Sequence, residues 1–260
     1  MLRIRFGNGL ILGGDDYHLQ APIQGLDTPA IRNGNAVYTG ADGGYMISQY
    51  YGHRTIVLRG FFIGPCHSRT DELRKGLLNK LLMRYYSSIV IEDLDNNFWF
   101  TQGYITDVKC DITSPRVGEY QISILCPDPL IYPANSLTAE EPVKITTNLV
   151  RNGEKTVLRQ GDCDAYPVIT LTGKFTNPTI QIGDLVFSLN STTTASSVIT
   201  IDMKNRTVRN ELGHSLASLR TTNSQWLYLA QGANTVALTT TSNADTGTAT
   251  MVYSAGYRGI

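Results

Sequence analysis

Cysteine and histidine are the side chains best able to act as nucleophile and base, and they are adjacent once, at Cys66-His67. The pair lies between a strand-like and a helix-like run, without a nearby third group to orient the histidine. The other cysteines, Cys110, Cys126 and Cys163, form no C-x-x-C pair, and the four histidines show no i, i+4 pairing. We therefore expect reduced thiols, with Cys110 and Cys126 on buried strand faces, and no metal site.

Carboxylates occur in three groups that could bind calcium or act as a glycosidase pair. The groups are Asp15-Asp16, the run Glu92-Asp93-Leu94-Asp95, and Asp162 with Asp164. Each group lies at a predicted turn or strand end, where aspartate is favoured because it bonds nearby backbone. The sequence also lacks the G-x-S-x-G, P-loop, G-x-G-x-x-G, H-E-x-x-H and EF-hand patterns. We therefore predict a protein that is not an enzyme and that uses no cofactor or metal.

The composition is that of a β-rich globular protein with no general attraction for polyanions. Of 260 residues, 42% are hydrophobic and 17% are charged, and 22 basic side chains balance 22 acidic ones. This balance gives no sequence-wide field toward nucleic acid or anionic lipid. No apolar run approaches the ~18 residues that a membrane span needs, and residues 1–16 contain no signal-peptide core. We expect synthesis in a cytosol and no membrane insertion.

Alternating apolar and polar residues predict strands around a single helix. The runs YITDVKCDI (104–112) and EYQISILC (119–126) flank a Pro/Gly turn and predict an antiparallel hairpin with one wet face. The predicted inward positions are Tyr104, Val108, Cys110, Ile112, Tyr120, Ile122, Ile124 and Cys126. Leucines that recur every four residues from Leu73 predict an amphipathic helix over about 69–86.

The composition changes near residue 130, where PDPLIYPAN carries several prolines. A proline-dense segment cannot continue a central strand, so we predict a domain boundary there. Beyond it, short strand-like runs separated by turn signals are typical of a β-sandwich. The predicted fold is mainly β, with an N-terminal β domain bearing one helix over 1–133 and a C-terminal β-sandwich over 134–260.

Several stretches carry a recognisable signature: ILCPDPLIYP (124–133), GDCDAYPVITLTGKFTNPTIQI (161–182), and ITIDMKNRTV (199–208) followed by QWLYLAQGANTVAL (225–238). Their order and spacing resemble the distal tail protein (Dit) family of siphophage tail tips. The motif positions are Cys126, Asp128, Pro129, Pro167, Gly173, Pro178, Asp202, Trp226, Gly232 and Asn234. Leu130 and Val236 differ from the family's commoner residues but remain apolar.

The resemblance implies a fold and a role. It implies a tail-tube-like N-terminal β-sandwich with one helix and a galectin-like C-terminal β-sandwich. It implies a homo-oligomeric ring, a hexamer in the family, that joins the tail tube protein to the tail tip (tail-associated) protein and to receptor-binding or accessory baseplate proteins. DNA would meet such a hub only by passing through the lumen. The implied location is the tail tip of the virion, after assembly in the host bacterial cytoplasm.

A ring needs interfaces that close on themselves, and the Gly-rich segment 25–54 is the candidate for one. Its length without a clear core pattern suits an extension, since long irregular segments inside compact domains are unusual. We predict a long hairpin or belt that reaches a neighbouring subunit, with a disordered surface loop as the alternative. The candidate interface residues are Tyr38, Tyr45, Met46, Tyr50 and Tyr51.

Trp226 has three possible roles, namely sugar stacking, anchoring a partner, or core packing. No H-x-N-x-R run of the kind found in sugar-binding galectin-type sandwiches accompanies it, and a fold alone does not establish binding. We predict that residues 224–238 form a structural hairpin, with Gly232 and Asn234 at positive-φ turn positions. The alternative function is a carbohydrate-binding module that recognises host cell-surface glycans through the C-terminal sandwich.

Overall fold

The protein is mainly β, which confirms the predicted fold class, and it divides into two compact units. The computed structural model describes residues 2–37, 42, 44–81 and 86–260, without the side chains of 34–37 and 44–49. The N-terminal unit comprises Met1–Pro142 and Tyr257–Ile260, and the C-terminal unit comprises Val143–Gly256. The domain boundary proposed from sequence, between residues 133 and 134, stays a prediction.

The N-terminal unit is built on a large antiparallel sheet. Its elements are β1 (Arg3–Phe6), β2 (Ile11–Leu12), β3 (His18–Gln24), β4 (Ile31–Val37), β5 (Gly44–Tyr51), β6 (Arg54–Ile63), α1 (His67–Leu81), β7 (Ser87–Glu92), β8 (Phe98–Ser114), β9 (Val117–Cys126) and β10 (Tyr132–Ala134). The strand order is β2-β1-β7-β8-β9-β6-β3, with β10 beside β8. The long strand β8 joins two halves of the sheet because its residues up to Gly103 pair with β7 and those from Tyr104 pair with β9.

The hairpin predicted over 104–126 is confirmed as β8 and β9, which pair antiparallel. The predicted inward residues of β9 are all at most 3% exposed: Tyr120, Ile122, Ile124 and Cys126. Tyr104, predicted to face inward as well, is 45% exposed. The register shifts between Ile105 and Asp107. An extra residue in one strand reverses the side on which the preceding side chains lie, so the strict alternation fails at Tyr104.

Helix α1 docks its leucine stripe on this sheet. The stripe consists of Leu73, Leu77 and Leu81, each at most 5% exposed. The hydroxyl of Tyr17 donates to the carbonyl of Leu73 at 2.9 Å, and Nε of Arg74 donates to the carbonyl of Cys110 on β8 at 3.1 Å. The helix therefore covers part of β8 and supplies a donor to its backbone.

The bounds of the predicted helix (69–86) need correction. The helix begins at His67, residues 82–85 lie outside the described part of the chain, and Tyr86 is not helical. The start is earlier because the N–H of Thr70 already closes a helical turn on the carbonyl four residues before it, at 3.1 Å. Among the described residues, no helix has the length and apolarity that crossing a membrane demands.

The C-terminal unit contains two antiparallel sheets and a short 3-10 turn. Its elements are β11 (Ile145–Leu149), β12 (Gly153–Arg159), β13 (Val168–Thr172), β14 (Thr179–Ile182), β15 (Leu185–Ser188), β16 (Val198–Asp202), β17 (Thr207–Asn210), the 3-10 turn (Ala217–Leu219), β18 (Gly232–Thr239) and β19 (Thr248–Tyr253). The strand orders are β11-β19-β13-β16-β17 and β12-β18-β14-β15. Both sheets contribute to one core, for example through Ile169 and Met251 from the first and Ile180 and Phe187 from the second. The unit is therefore a two-sheet sandwich.

The stretch 224–238 is not the hairpin that its sequence predicted. Only its second half forms a strand, β18. In the first half, the N–H of Gln225 donates to the carbonyl of Val186 at 2.7 Å, and Leu229 exchanges backbone hydrogen bonds with Ala165 at 2.8 and 3.0 Å. Backbone pairing with residues distant in sequence replaced the predicted local hairpin. The pattern of one segment cannot reveal such partners.

Candidate assembly interface

Strands β4 and β5 form a two-stranded antiparallel ribbon, residues 31–37 and 44–51. Its register runs from Ile31 opposite Tyr51 to Val37 opposite Gly44. Among the described strands, these two pair only with each other. An isolated two-stranded hairpin is only marginally stable in water. The ribbon is therefore expected to pack on a further surface, which a second subunit can supply.

The proposed interface residues are described in unequal detail. Tyr38 lies outside the described residues, and Tyr45 and Met46 lie on β5 where the backbone alone is described. Tyr50 is 65% exposed, and Ile31, on the opposite strand, is 48% exposed. The described corners of the ribbon thus present an aromatic and a branched apolar side chain to solvent.

Tyr51 faces the root of the ribbon, where the two strands leave the N-terminal unit. Its side chain is half-buried, and its hydroxyl accepts a hydrogen bond from Nη1 of Arg258 at 3.1 Å. The N–H of Gly52 donates to the carbonyl of Ala30 at 2.7 Å and closes the open end of the ribbon. Tyr51 therefore makes an internal contact, and its place at an interface stays a prediction.

Arg54 is the residue at the ribbon root that sequence reasoning missed. Its side chain is only 2% exposed. Nε donates to the carbonyl of Pro129 at 2.8 Å, Nη1 donates to those of Gly25 and Asp27 at 2.6 Å, and Nη2 donates to that of Arg258. Burial lowers the pKa of this guanidinium, but an arginine remains charged in proteins. One buried charge thus gathers carbonyls from three separate parts of the chain.

The alternation of residues along β6 already indicated that Arg54 is buried. Its inward positions alternate, and Arg54 shares a face with Ile56, Leu58 and Phe62, all at most 1% exposed. A charged side chain on an apolar strand face predicts a buried charge that needs partners. The acceptors could not be predicted, because they are backbone carbonyls outside the strand.

The stretch ILCPDPLIYP (124–133), which contributed to the family resemblance, builds a turn next to this arginine. Cys126 ends β9 and is fully buried, and this burial raises the pKa of its thiol. Asp128 accepts the N–H of Leu130 at 3.1 Å and the hydroxyl of Tyr132 at 3.0 Å. Pro129 supplies its carbonyl to the buried guanidinium. These motif residues therefore hold backbone in place.

The motif residues of the C-terminal unit have similar roles. Pro167 and Pro178 offer their carbonyls to N–H groups of other segments at 3.2 and 3.0 Å. Gly173 has a φ of +97°, which favours glycine. Asp202 accepts two hydrogen bonds from Asn205, from its N–H at 2.9 Å and from Nδ2 at 2.7 Å. Together they fix the ends and turns of the sandwich strands.

Trp226 lies at the edge of the sandwich core. Its ring is tilted against Phe187 with centroids 5.3 Å apart, and the guanidinium carbon of Arg220 lies 5.2 Å from its centroid. Of the alternating side chains, the inward pair is Leu227 and Leu229, both 0% exposed. The ring is thus engaged by an aromatic side chain and a cation of its own unit. This geometry favours core packing over a sugar-stacking platform.

Gly232 has a φ of +91°, as predicted for a turn position. Asn234 was predicted to share that role, which is wrong, because its φ is not positive and it lies inside β18. Its side-chain amide instead forms hydrogen bonds with the backbone of the turn that leads into the strand. Oδ1 accepts the N–H of Ala230 at 2.9 Å, and Nδ2 donates to the carbonyls of Ala230 at 2.8 Å and Gly232 at 3.0 Å. The turn is therefore held by a side chain.

The thiols fall into three settings. Cys66 is exposed, beside the exposed His67 that begins α1. Cys110 and Cys126 are buried, as predicted, and burial raises the pKa of both thiols. These two therefore behave as small apolar side chains at neutral pH. Cys163 is half-buried and, like the others, forms no disulfide within the described chain.

The carboxylates at the end of β7 are used structurally. Arg3 binds Glu92 through Nε at 2.5 Å and Nη2 at 2.9 Å. Asp93 accepts Nε1 of Trp99 at 2.9 Å and the amide and backbone of Asn97 at 3.0 and 2.8 Å. Burial opposes ionisation of Asp93, but these bonds leave its pKa below the ordinary value. Within the described residues, no three His, Cys, Asp or Glu side chains are placed to hold a metal ion.

Comparison with known proteins finds a matching family and similar solved structures. Residues 160–257 match the family of siphovirus-type tail components, C-terminal domain. The Dit protein of phage SPP1, described as a paradigm of the hub adsorption apparatus in phages that infect Gram-positive bacteria, has a similar structure. The TM-score is 0.75 at 15% identity, and the match covers 98% of this chain and 99% of that one.

A chain of the phage P2 baseplate in its activated conformation matches with a TM-score of 0.42 at 9% identity, over 97% of this chain and 98% of that chain. No curated protein is significantly similar in sequence. The resemblance to distal tail proteins is confirmed by the family match in the C-terminal unit and by the shared fold over nearly the whole chain.

Proposed function

We propose that this chain, with the fold of a distal tail protein and a C-terminal domain of the siphovirus-type tail component family, is a structural hub of a phage tail tip or baseplate. In this proposal, about six copies close a ring that joins the tail tube protein to tail-tip proteins and receptor-binding or accessory baseplate proteins. The hub acts in the virion after assembly in the host cytoplasm. It needs no catalysis, cofactor or membrane insertion, and its C-terminal sandwich is galectin-like.

The ribbon, residues 31–37 and 44–51, is the observation that carries the proposal. It pairs with no other described strand, and it exposes Ile31 and Tyr50. Unpaired strand edges and exposed aromatic side chains favour association with another chain. When each copy places its ribbon on the next, the contact is heterologous, and a suitable rotation closes it into a ring.

The overall charge gives the chain no general attraction for DNA. The chain has a formal net charge of zero. Tight binding to a phosphate backbone requires several lysine or arginine contacts that release counterions. A ring of nearly neutral subunits would let the genome move through its lumen without a strong electrostatic hold.

The test is the mass of the purified protein by light scattering at several concentrations, with negative-stain images of the heaviest species. Tyr50→Ser should raise the concentration needed for assembly by about ten-fold or more, the effect of losing an interface aromatic. Leu94→Ser is the matched control, because Leu94 is 76% exposed and lies on the turn after β7, not on the ribbon. A variant in which a Gly/Ser turn replaces residues 35–46 should remain a monomer. Normal rings from that variant would show that the ribbon is not the interface.

The carbohydrate-binding alternative is not favoured by the structure. It relied on Trp226 as a stacking platform, but this ring contacts Phe187 and Arg220 of the same unit. A protein that stayed monomeric and bound host wall polysaccharide, and lost that binding in Trp226→Ala, would restore the alternative.

A further inference from the structure

The segment 257–260 belongs to the N-terminal unit although the preceding strand belongs to the C-terminal one. Tyr257 exchanges backbone hydrogen bonds with Ile131 at 2.8 and 3.0 Å, and its ring lies edge-on to Trp99 with centroids 5.3 Å apart. The N–H of Ile260 donates to the carbonyl of Leu26 at 3.2 Å. This segment therefore contacts the chain just before the ribbon begins.

The same segment also contacts the root of the ribbon on its second strand. Arg258 donates from Nη1 to the hydroxyl of Tyr51, the last residue of β5. Its carbonyl accepts Nη2 of Arg54, whose Nη1 binds the carbonyls of Gly25 and Asp27. The chain segments that enter and leave the ribbon are thus both bound to Arg54 and residues 257–260.

We propose that Arg54 and residues 257–260 form a root clamp that fixes the direction in which the ribbon leaves the N-terminal unit. The link to ring assembly rests on the proposed function. A ribbon attached by two single strands would sample many orientations, and each association would have to order it. Fixing the root before binding removes part of that ordering cost, which is the general benefit of preorganisation. Arg54 and the clamp segment are then positioning residues for assembly, although the outer contacts belong to the ribbon.

The fork geometry of Arg54 is the feature that a variant can remove. A guanidinium offers five N–H groups in a fixed plane, whereas a lysine ammonium is a compact point charge. Arg54→Lys keeps the charge but cannot serve four separated carbonyls. Arg159 provides a matched control in the C-terminal unit. It is also 2% exposed, and it donates to the carbonyls of Ala230 at 3.1 Å, Gly161 at 3.2 Å and Cys163.

The experiment is hydrogen exchange, read by mass spectrometry on the full chain, for wild type, Arg54→Lys and Arg159→Lys. In Arg54→Lys, amides of residues 26–31 and 50–53 should exchange on the order of ten-fold faster, the factor expected from losing one hydrogen bond to a charged group. Amides of β9 should keep their protection. Arg159→Lys should leave the ribbon root unchanged. Tyr51→Phe removes only the bond from Arg258 and should accelerate the same amides by a smaller factor, which keeps the test available if Arg54→Lys does not fold.

Ring mass measured on the same samples separates the clamp from the proposed function. Faster exchange at the root together with a higher assembly concentration supports the inference. Unchanged exchange at the root in both Arg54→Lys and Tyr51→Phe overturns the clamp. Faster exchange with unaltered assembly overturns its role in the ring. A wild-type protein that forms no ring counts against the proposed function, whereas the exchange rates still decide whether the clamp exists.

Discussion

Gly118 on β9 lies directly opposite Phe62 on β6, and this pair tests how tightly the N-terminal core is packed. A Cβ placed on Gly118 would lie under 3.0 Å from three atoms of the Phe62 ring, which is 0% exposed. The backbone of Gly118 is not in the positive-φ region, so the obstacle is steric alone. Gly118→Ala must therefore displace a fully buried aromatic ring.

The magnitude follows from two opposing effects. Overpacking a well-packed core costs about 1–3 kcal/mol. Replacing glycine lowers the entropy of the unfolded chain and offsets roughly 0.4–1 kcal/mol of that cost. We expect a net loss of about 1–2 kcal/mol in the free energy of unfolding. Phe62→Leu alone should also destabilise, but in the double variant the smaller side chain leaves room for the methyl group. The double variant should therefore lose less than the sum of the two single losses, by about 1 kcal/mol.

The assay uses the two tryptophans of the chain, because Trp99 lies in the N-terminal unit and Trp226 in the C-terminal one. In a Trp226→Phe background, urea unfolding followed by Trp99 fluorescence reports on the N-terminal unit. Gly14→Ala is the control, since a Cβ there would meet only one atom, at 3.9 Å. If Gly118→Ala were as harmless as Gly14→Ala, or if the losses in the double variant were additive, the packing argument would be refuted.

Three further predictions concern single side chains. The hydrogen bond from Arg3 lowers the pKa of Glu92, so the pair stabilises the fold above the unfolded pKa and loses this effect as pH falls through the folded pKa. The difference in urea midpoint between wild type and Glu92→Gln should therefore disappear at acid pH, and a constant difference would contradict it. Asn234→Ala should lower the free energy of unfolding of the C-terminal unit by about 1–3 kcal/mol, because the buried amide loses its three hydrogen bonds to Ala230 and Gly232. Trp226 fluorescence in a urea titration measures this loss. Trp226→Ala should destabilise that unit by about 2–3 kcal/mol in denaturant titrations monitored by circular dichroism without changing ring mass, and an unchanged midpoint would refute its packing role.

Local pattern predicted those elements whose partners are near in sequence. The apolar face of β9, from Tyr120 to Cys126, was predictable because its neighbour β8 is joined by a short turn and one face is buried. The same pattern wrongly placed Tyr104 on the buried face. A register shift there adds a residue to one strand, and the sequence alternation does not predict it. Local pattern failed again at Gln225, whose backbone partner is Val186. Pairing over long sequence separations depends on the whole fold, so the sequence of one segment does not determine it.

The candidate interface was also predictable only in part. Glycines and tyrosines in segment 25–54 predicted a hairpin, and the ribbon occupies 31–37 and 44–51. Tyr50 and Tyr51 are adjacent in sequence and were given the same role. One is 65% exposed, whereas the other is half-buried and bonded to Arg258. Neighbours in a strand point to opposite sides, so a list of aromatic residues cannot say which of them is available to a partner.

The two buried arginines give a physical reason for the family motifs. Arg54 and Arg159 each bind carbonyls of irregular backbone, among them Pro129 in ILCPDP and Gly161 and Cys163 in GDCD. Such carbonyls stand outside the strand ladders, and a buried carbonyl without a donor costs stability. Each motif therefore supplies a turn shaped to meet a guanidinium. The recognisable parts of the sequence set the geometry of the two units, and we infer that contact with other subunits falls on the ribbon, which carries no such motif.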